Sequence, residues 1–408
     1  MKINWTSFFL NSVSENKIIQ MRQIGFILVF VCLSAFANTQ ELVTVFESGK
    51  EGFSSFRIPS IIQLPNKKLL AFAEGRVNSA ADFGNVKIVM KSSEDNGAHW
   101  SNLNVVVDNG NLQAGNAAPV VDILDPAYPG GKIYIFYNTG NASESDLREG
   151  IGLREVWFIS SIDNGASFSS PVNITSQVHF PNGTVLGRKY ESTIDWRTYA
   201  NTPGHAVQSL NGLYKGRIYI AANHSTGPAQ ANFKEYASHG YYTDDHGKSF
   251  KLGASLSIKG SNEATAAFIS NNRLILNARN QQGNTRSRIV AYSNDGGMHF
   301  DTSYYDPNLP DPICEGTILN VGQKKGKSIL AFVNAADTMY RNTLTLRVSF
   351  DEGKTWAIRK MIDQTNDTKK QQEDFTAYSD IILIGKRKIG VLYERDNYSK
   401  IIFKQMSW

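Results

Sequence analysis

Ser93-Glu94-Asp95-Asn96-Gly97-Ala98-His99-Trp100 is the stretch that decides the fold, because the chain spells its pattern five times. The pattern is Ser or Thr, any residue, Asp, any, Gly, two of any kind, then Trp or Phe. It returns at 161–168, 243–250, 293–300 and 349–356. Four fixed positions kept through five copies are not a chance pattern. Successive copies start 68, 82, 50 and 56 residues apart, about the span of one four-stranded blade plus variable loops.

Each copy predicts a tight hairpin. Asp accepts hydrogen bonds from the backbone of its own turn, and Gly supplies a left-handed conformation at little steric cost. The closing aromatic is expected to fold under the turn and bury its ring. Alternating or apolar runs precede the copies, as at 86–90 and 155–159, and read as half-buried strands. The aspartates are read as pins at the outer rim of a propeller rather than as calcium ligands or catalytic acids. Strands are also expected at 41–46, 216–221, 381–384, 389–395 and 399–406, with one short helix at 229–236. Pairing between the first and last strands would close the ring and remove open edges. Six blades fit the length and spacing better than seven or eight, and the sixth would lack the turn.

Composition sets limits on function. Of 408 residues, 19% are charged and 11% aromatic, which suits a large β-rich core. The net charge of +5 comes from no basic run, so nothing indicates a nucleic-acid partner. Met21-Arg22-Gln23 leads into an apolar stretch that ends at Ala35-Phe36-Ala37, the form of a secretory signal with an A-x-A cleavage site. It is too short to span a bilayer comfortably. Residues 1–37 are therefore the expected leader region, with Met21 a candidate start, and 38–408 one propeller domain. Cys32 falls inside the leader, and Val31 is a poor neighbour for lipid attachment. The expected location is the periplasm or the outside of the cell, including its surface. Cys314 would then be a lone thiol, read as a small buried hydrophobe. The seven histidines show no ligand-like spacing, so no metal and no cofactor is expected.

Phe56-Arg57-Ile58-Pro59, taken with the five turns, resembles the bacterial exo-sialidases, the retaining neuraminidases of glycoside hydrolase family 33. The resemblance covers essentially all of 41–408. It implies an all-β, six-bladed β-propeller with Asp-box hairpins. It also implies hydrolysis of terminal sialic acid on glycans, glycoproteins or glycolipids, without a stable membrane span.

Sialic acid carries a carboxylate on its anomeric carbon, and arginine's planar fork suits a fixed clamp for it. The positions that match the family's triad are Arg57, Arg279 in Leu276-Asn277-Ala278-Arg279, and Arg341 in Tyr340-Arg341-Asn342-Thr343. Arg347 competes with Arg341 for the third place but is expected to face solvent. Glu394 matches the acidic partner of the first arginine. A carboxylate nucleophile would be repelled by the substrate's own carboxylate, whereas a neutral phenol would not. The resemblance accordingly implies Tyr378 as nucleophile, just before an apolar strand, with Glu263 taking its proton. Asp82, six residues after Arg76, matches the acid/base aspartate, and Arg76 an auxiliary arginine for the sugar's polar groups. Gly115–Val120 and Pro203–Gln208 resemble substrate-side segments, with Gln208 facing the sugar and His205 left without a role. Rival readings are a trans-sialidase or anhydrosialidase on the same core, and a non-catalytic sialic-acid-binding propeller. An unrelated glycanase would need paired carboxylates across an open cleft.

Overall fold

The structure, a computed structural model, describes residues 42–367 and 371–408. The expected leader, with Met21, Cys32 and the cleavage site, lies outside them. Among the described residues the long elements are all strands. Helix is limited to Glu144–Arg148, Thr175–Val178 and a 3-10 turn at Ala231–Phe233. The helix expected at 229–236 is only that turn, because Asn232 and Phe233 take positive φ (57° and 55°) and Tyr236 already opens a strand.

The strands form antiparallel runs in a propeller arrangement. The runs begin with β1 (Ser55–Gln63), β2 (Gln113–Asp122), β3 (Trp196–Asn201), β4 (Ser261–Phe268), β5 (Gly316–Lys324) and β6 (Thr376–Gly385). An eight-stranded sheet holds the runs that start at β1 and β2, and they meet through a parallel bridge at Val86–Gln113. Each of the other runs makes a sheet of four or five strands. Val43–Glu47 pairs with Lys400–Ser407, so the first and last described strands share a sheet, as expected from edge protection.

The core lies between neighbouring sheets. Phe136 and Phe158, from the run of β2, pack on Tyr241 and Phe250 from the run of β3. Phe46, Phe56, Leu69 and Phe403 fill the corresponding layer between the last sheet and the first. Burying each such side chain contributes roughly 1.5–3 kcal/mol.

The five turns are built alike. In the first, Asp95 Oδ1 accepts from Ser93 Oγ at 2.8 Å and from His99 N at 2.9 Å, while Gly97 N donates to Ser93 Oγ at 2.8 Å. The same three bonds recur around Asp163, Asp245, Asp295 and Asp351. The closing ring is less buried than expected. Phe250 is buried, whereas Trp100, Phe168, Phe300 and Trp356 are half-buried.

The glycines explain more than turn geometry. A Cβ on Gly97 would stand 2.1 Å from Phe403, and one on Gly165 3.0 Å from Leu70. For Gly247, Gly297 and Gly353 the obstacles are Tyr134, Tyr219 and Ile275. In every case the side chain met belongs to the preceding run, so each turn docks on its neighbour as well as closing its own hairpin. The last sheet needs no such turn, because its outer strand is Val43–Glu47, from the other end of the described chain.

One irregularity positions the site. β1, β2, β3, β4 and β6 each lose register near their starts, between Arg57 and Ser60, Gly115 and Ala118, Trp196 and Tyr199, Ser261 and Ala264, and Thr376 and Ser379. Such a shift re-aims side chains away from simple alternation. Arg57, Glu263 and Tyr378 all stand at these shifts.

Candidate active site

Tyr378 lies within β6, not ahead of the strand as expected, because the ladder runs past its register shift to Thr376. Its hydroxyl donates to Glu263 Oε1 at 2.6 Å and accepts from Arg279 Nη1 at 2.9 Å. The same Arg279 nitrogen donates to Glu263 Oε2 at 2.7 Å. Arg279 is the penultimate residue of the strand Leu274–Asn280, which pairs with β4, so one hairpin supplies both partners of the phenol. Burial pushes the Tyr378 hydroxyl well above its ordinary pKa. Glu263 adds to the rise, and Arg279 and Arg341 oppose it. The group is therefore a neutral phenol, not a standing phenolate.

The other two arginines flank the same ring. The Arg57 guanidinium carbon is 5.5 Å from the Tyr378 ring centre, and that of Arg341 5.6 Å. Arg57 Nε donates to Glu394 Oε1 at 2.7 Å, and that oxygen also accepts from Ile58 N at 2.8 Å. Glu394 is fully buried, so its charge is matched inside the protein rather than by water. Ile58 takes φ of 54°, part of the register shift that turns Arg57 toward Glu394. Arg341 is held from a loop. Its Nη2 donates to Ile313 O at 2.9 Å and its Nη1 to Tyr398 Oη at 3.3 Å.

Asp82 sits in the loop after Leu69–Arg76, with its side chain 82% exposed and 2.7 Å from Arg76 Nη1. Loss of hydration beside the protein raises its carboxyl, but Arg76, Arg57 and Arg154 outweigh this and hold it below the ordinary carboxylate range. Arg76 is itself fixed by Glu74, through bonds of 3.2 Å and 2.8 Å to one oxygen. The other Glu74 oxygen accepts from Asn116 N at 3.0 Å. A Cβ on Gly115 would lie 2.3 Å from that oxygen, so this glycine makes room for the carboxylate.

Two further sequence expectations are corrected. Gln208 is not in this group. It lies at the other end of its run, where Nε2 bonds Asp122 Oδ1 at 2.5 Å and Oε1 accepts from Ile123 N at 3.0 Å. There it lines a cavity of about 560 Å³ with Ile61, Phe268 and Ile382, and none of the arginines around Tyr378 reaches that cavity. The resemblance of Pro203–Gln208 to a substrate-side segment did not show at which end of its run Gln208 lies. Arg347 does not face solvent. It is buried, with Nη1 3.2 Å from Asn334 Oδ1, and burial together with Arg359 lowers it to about 10. His205 gives its Nδ1 to Asp380 at 2.6 Å in the interior.

Spacing also missed some groups. Glu74 precedes Arg76 by two residues on one strand, a same-face pairing that was legible. Tyr398 and Asp374 gave no comparable signal. Asp122, Asp125 and His246 offer ligand atoms within 4.8 Å of one another, although Asp122 already accepts from Gln208, Leu124 N and His246. Among the described residues no helix is long and apolar enough to cross a membrane.

Comparison with known proteins gives the family. A family model described as a BNR repeat-like domain matches residues 67–393. The chain is 27% identical over 374 residues to a sialidase of Micromonospora viridifaciens, covering 85% of this chain and 51% of that protein. It is 28% identical over 372 residues to an exo-alpha-sialidase of Arthroderma benhamiae, covering 85% of this chain and 79% of that one. Among solved structures it resembles the Hadza microbial sialidase Hz136, with a TM-score of 0.73 and 20% identity over 90% of this chain and 68% of that chain. The chain thus spans about half the length of the Micromonospora protein. With the family model matched over more than half of its residues, the chain belongs to the BNR repeat-like domain family, and the curated relatives it resembles are sialidases.

Proposed function

We propose that the protein is an exo-alpha-sialidase that releases terminal sialic acid from glycans, glycoproteins or glycolipids with retention of configuration. The observation that carries this reading is the placement of Tyr378 between Glu263 and Arg279 with Arg57 and Arg341 beside its ring. Three guanidinium groups around one neutral phenol suit a substrate whose carboxylate adjoins the reacting carbon. The propeller is read as six-bladed, the eight-stranded sheet counting as two blades linked by the Val86–Gln113 bridge. The five repeated turns are read as Asp-boxes.

In the first displacement Tyr378 Oη bonds to the anomeric carbon as Glu263 takes the phenolic proton. The glycosidic bond breaks, and Asp82 gives its proton to the departing oxygen. In the second, Asp82 takes a proton from water, the water oxygen replaces the phenol, and Glu263 returns the proton to Tyr378. Two inversions retain configuration. Asp82 must be protonated in the first step, yet Arg76 and Arg57 hold it ionised in the free protein. A substrate carboxylate bound to Arg57 cancels part of that positive field, which raises the Asp82 carboxyl when a leaving group arrives.

A fluorogenic sialoside tests the proposal. Wild-type protein should release the fluorophore, and Arg279→Ala should lose most of that turnover. A protein that binds sialoside without releasing it would support the non-catalytic reading, and an anhydro or transferred product would reassign the second step. Export belongs to the same proposal. N-terminal sequencing of protein secreted from the full reading frame should begin near Asn38.

A further inference from the structure

Arg57 and Arg341 face the same ring but are neutralised in different ways. Glu394 touches Arg57 directly. For Arg341, the one carboxylate within 4.0 Å of the guanidinium among the described residues is Asp374, with Nε–Oδ2 at 4.0 Å. A phenol stands between them. Tyr398 Oη donates to Asp374 Oδ2 and accepts from Arg341 Nη1 at 3.3 Å. The face of the same ring lies 4.0 Å from the Arg57 guanidinium carbon. Tyr398 thus touches both flanking arginines, and its ring packs on Ile58, Cys314, Ala377 and Tyr378.

The backbone is bent to put it there. Asp396, Asn397 and Tyr398 take φ of 54°, 50° and 64° in succession. Left-handed conformations are uncommon outside glycine and costly for a bulky residue. Ser48 Oγ holds the Tyr398 carbonyl at 3.1 Å. A tyrosine that only filled space would need neither this strained turn nor its hydroxyl shared between an acid and a guanidinium.

We propose that Tyr398 is a positioning residue of the carboxylate clamp, with Asp374 as its partner. Its hydroxyl occupies Asp374 Oδ2 and keeps that oxygen from closing on the Arg341 guanidinium, while Asp374 Oδ1 accepts from Arg341 N at 3.2 Å. Arg341 has five N–H donors. One is given to Ile313 O and one to Tyr398, which leaves the rest for a substrate carboxylate. The ring face fixes the plane of Arg57. This role rests on the reading of Arg57, Arg279 and Arg341 as a clamp for an acidic sugar.

Kinetics of four proteins on a fluorogenic sialoside test it: wild type, Tyr398→Phe, Asp374→Asn and the double variant. Tyr398→Phe keeps the ring over Arg57 but frees Asp374 to pair with Arg341. KM should rise about tenfold, the scale of one charged hydrogen bond, with kcat within about threefold. Adding Asp374→Asn should restore KM to within about threefold of wild type, since no carboxylate remains to compete. Tyr398→Phe with wild-type KM overturns the role. So does a double variant no better than Tyr398→Phe, which is what simple loss of packing gives. A wild type inactive on the sialoside instead overturns the clamp itself, a result distinct from an active wild type indifferent to Tyr398.

Discussion

Tyr378 Oη lies 2.6 Å from Glu263 Oε1, although 115 residues separate the two in the chain. Each stands at a register shift near the start of its strand, so the contact depends on two local irregularities reaching each other across β5, against which both β4 and β6 pack. The pair is expected to work as a unit. Tyr378→Phe should lower kcat by at least about a thousandfold with little change in melting temperature. The Tyr378→Phe/Glu263→Ala double variant should be no worse than the poorer single one. Multiplicative losses in steady-state kinetics would show that the two act separately.

Glu394 offers a second test, through charge rather than chemistry. It is fully buried, and its Oε1 serves both Arg57 Nε and Ile58 N. Glu394→Gln keeps the shape and removes the countercharge. The fold should lose about 3 kcal/mol or more, the scale for breaking a buried ion pair, and KM for the sialoside should rise. Urea titration and kinetics on the same preparations check both. Unchanged stability would mean that Arg57 is neutralised from elsewhere.

Asp82 predicts a difference between two pH profiles. In the free protein Arg76, Arg57 and Arg154 hold its carboxyl below the ordinary range against the effect of desolvation. kcat/KM requires the protonated acid in free enzyme, so it should fall as pH rises through that depressed value. kcat reports the complex, where the substrate carboxylate offsets Arg57, so its alkaline limb should lie at higher pH. Coincident limbs would show that the bound substrate does not retune Asp82.

Acid stability should depend on a histidine cluster remote from any sequence signal. His179, His224 and His239 are buried around Trp196, with the His224 ring stacked 3.5 Å from it. Burial pushes His179 and His224 well below their ordinary value and His239 to about 3. Neutral in the fold, they bind protons more readily once unfolded. The stability they contribute is complete above about pH 6.5 and is lost as pH falls toward the folded values, by at most about 1.4 kcal/mol per pH unit for each. Melting temperature should therefore decline between pH 6.5 and 5, above the range where carboxylates titrate. A flat curve there would contradict it.

The turn glycines give a packing prediction with an internal control. Gly97 (φ 90°) would drive a Cβ to 2.1 Å from Phe403, while Gly49 (φ 79°) has nothing within 4 Å. Gly49→Ala should cost only the left-handed strain, about 1–2 kcal/mol. Gly97→Ala should cost a further 1–3 kcal/mol, roughly, for overpacking against the neighbouring sheet. Equal costs in thermal unfolding would mean that the turn does not dock there.

The scaffold was legible because its turns repeat a chemistry that acts locally. Asp95 and its four counterparts bond within a few residues, so their pattern survives in the linear sequence. The strands at 389–395 and 399–406 appear within a residue of their expected bounds, as Lys388–Arg395 and Lys400–Ser407. What sequence could not supply was the end of the run at which an inward side chain points. Gln208 was misplaced for that reason, and Arg347 because a lone arginine on an apolar strand gives no sign of Asn334 waiting inside. Tyr398 was silent because its place depends on three successive left-handed residues. Asp396 and Asn397 favour such a turn, but nothing in the sequence marks Tyr398 as its third left-handed residue.

The most direct test of the double-displacement account is proton NMR of the first sialic acid released by wild-type protein, recorded before mutarotation. The account predicts the α-anomer first, with the β-anomer growing in later. Initial release of the β-anomer would mean a single displacement by water and would remove Tyr378 from the role given to it here.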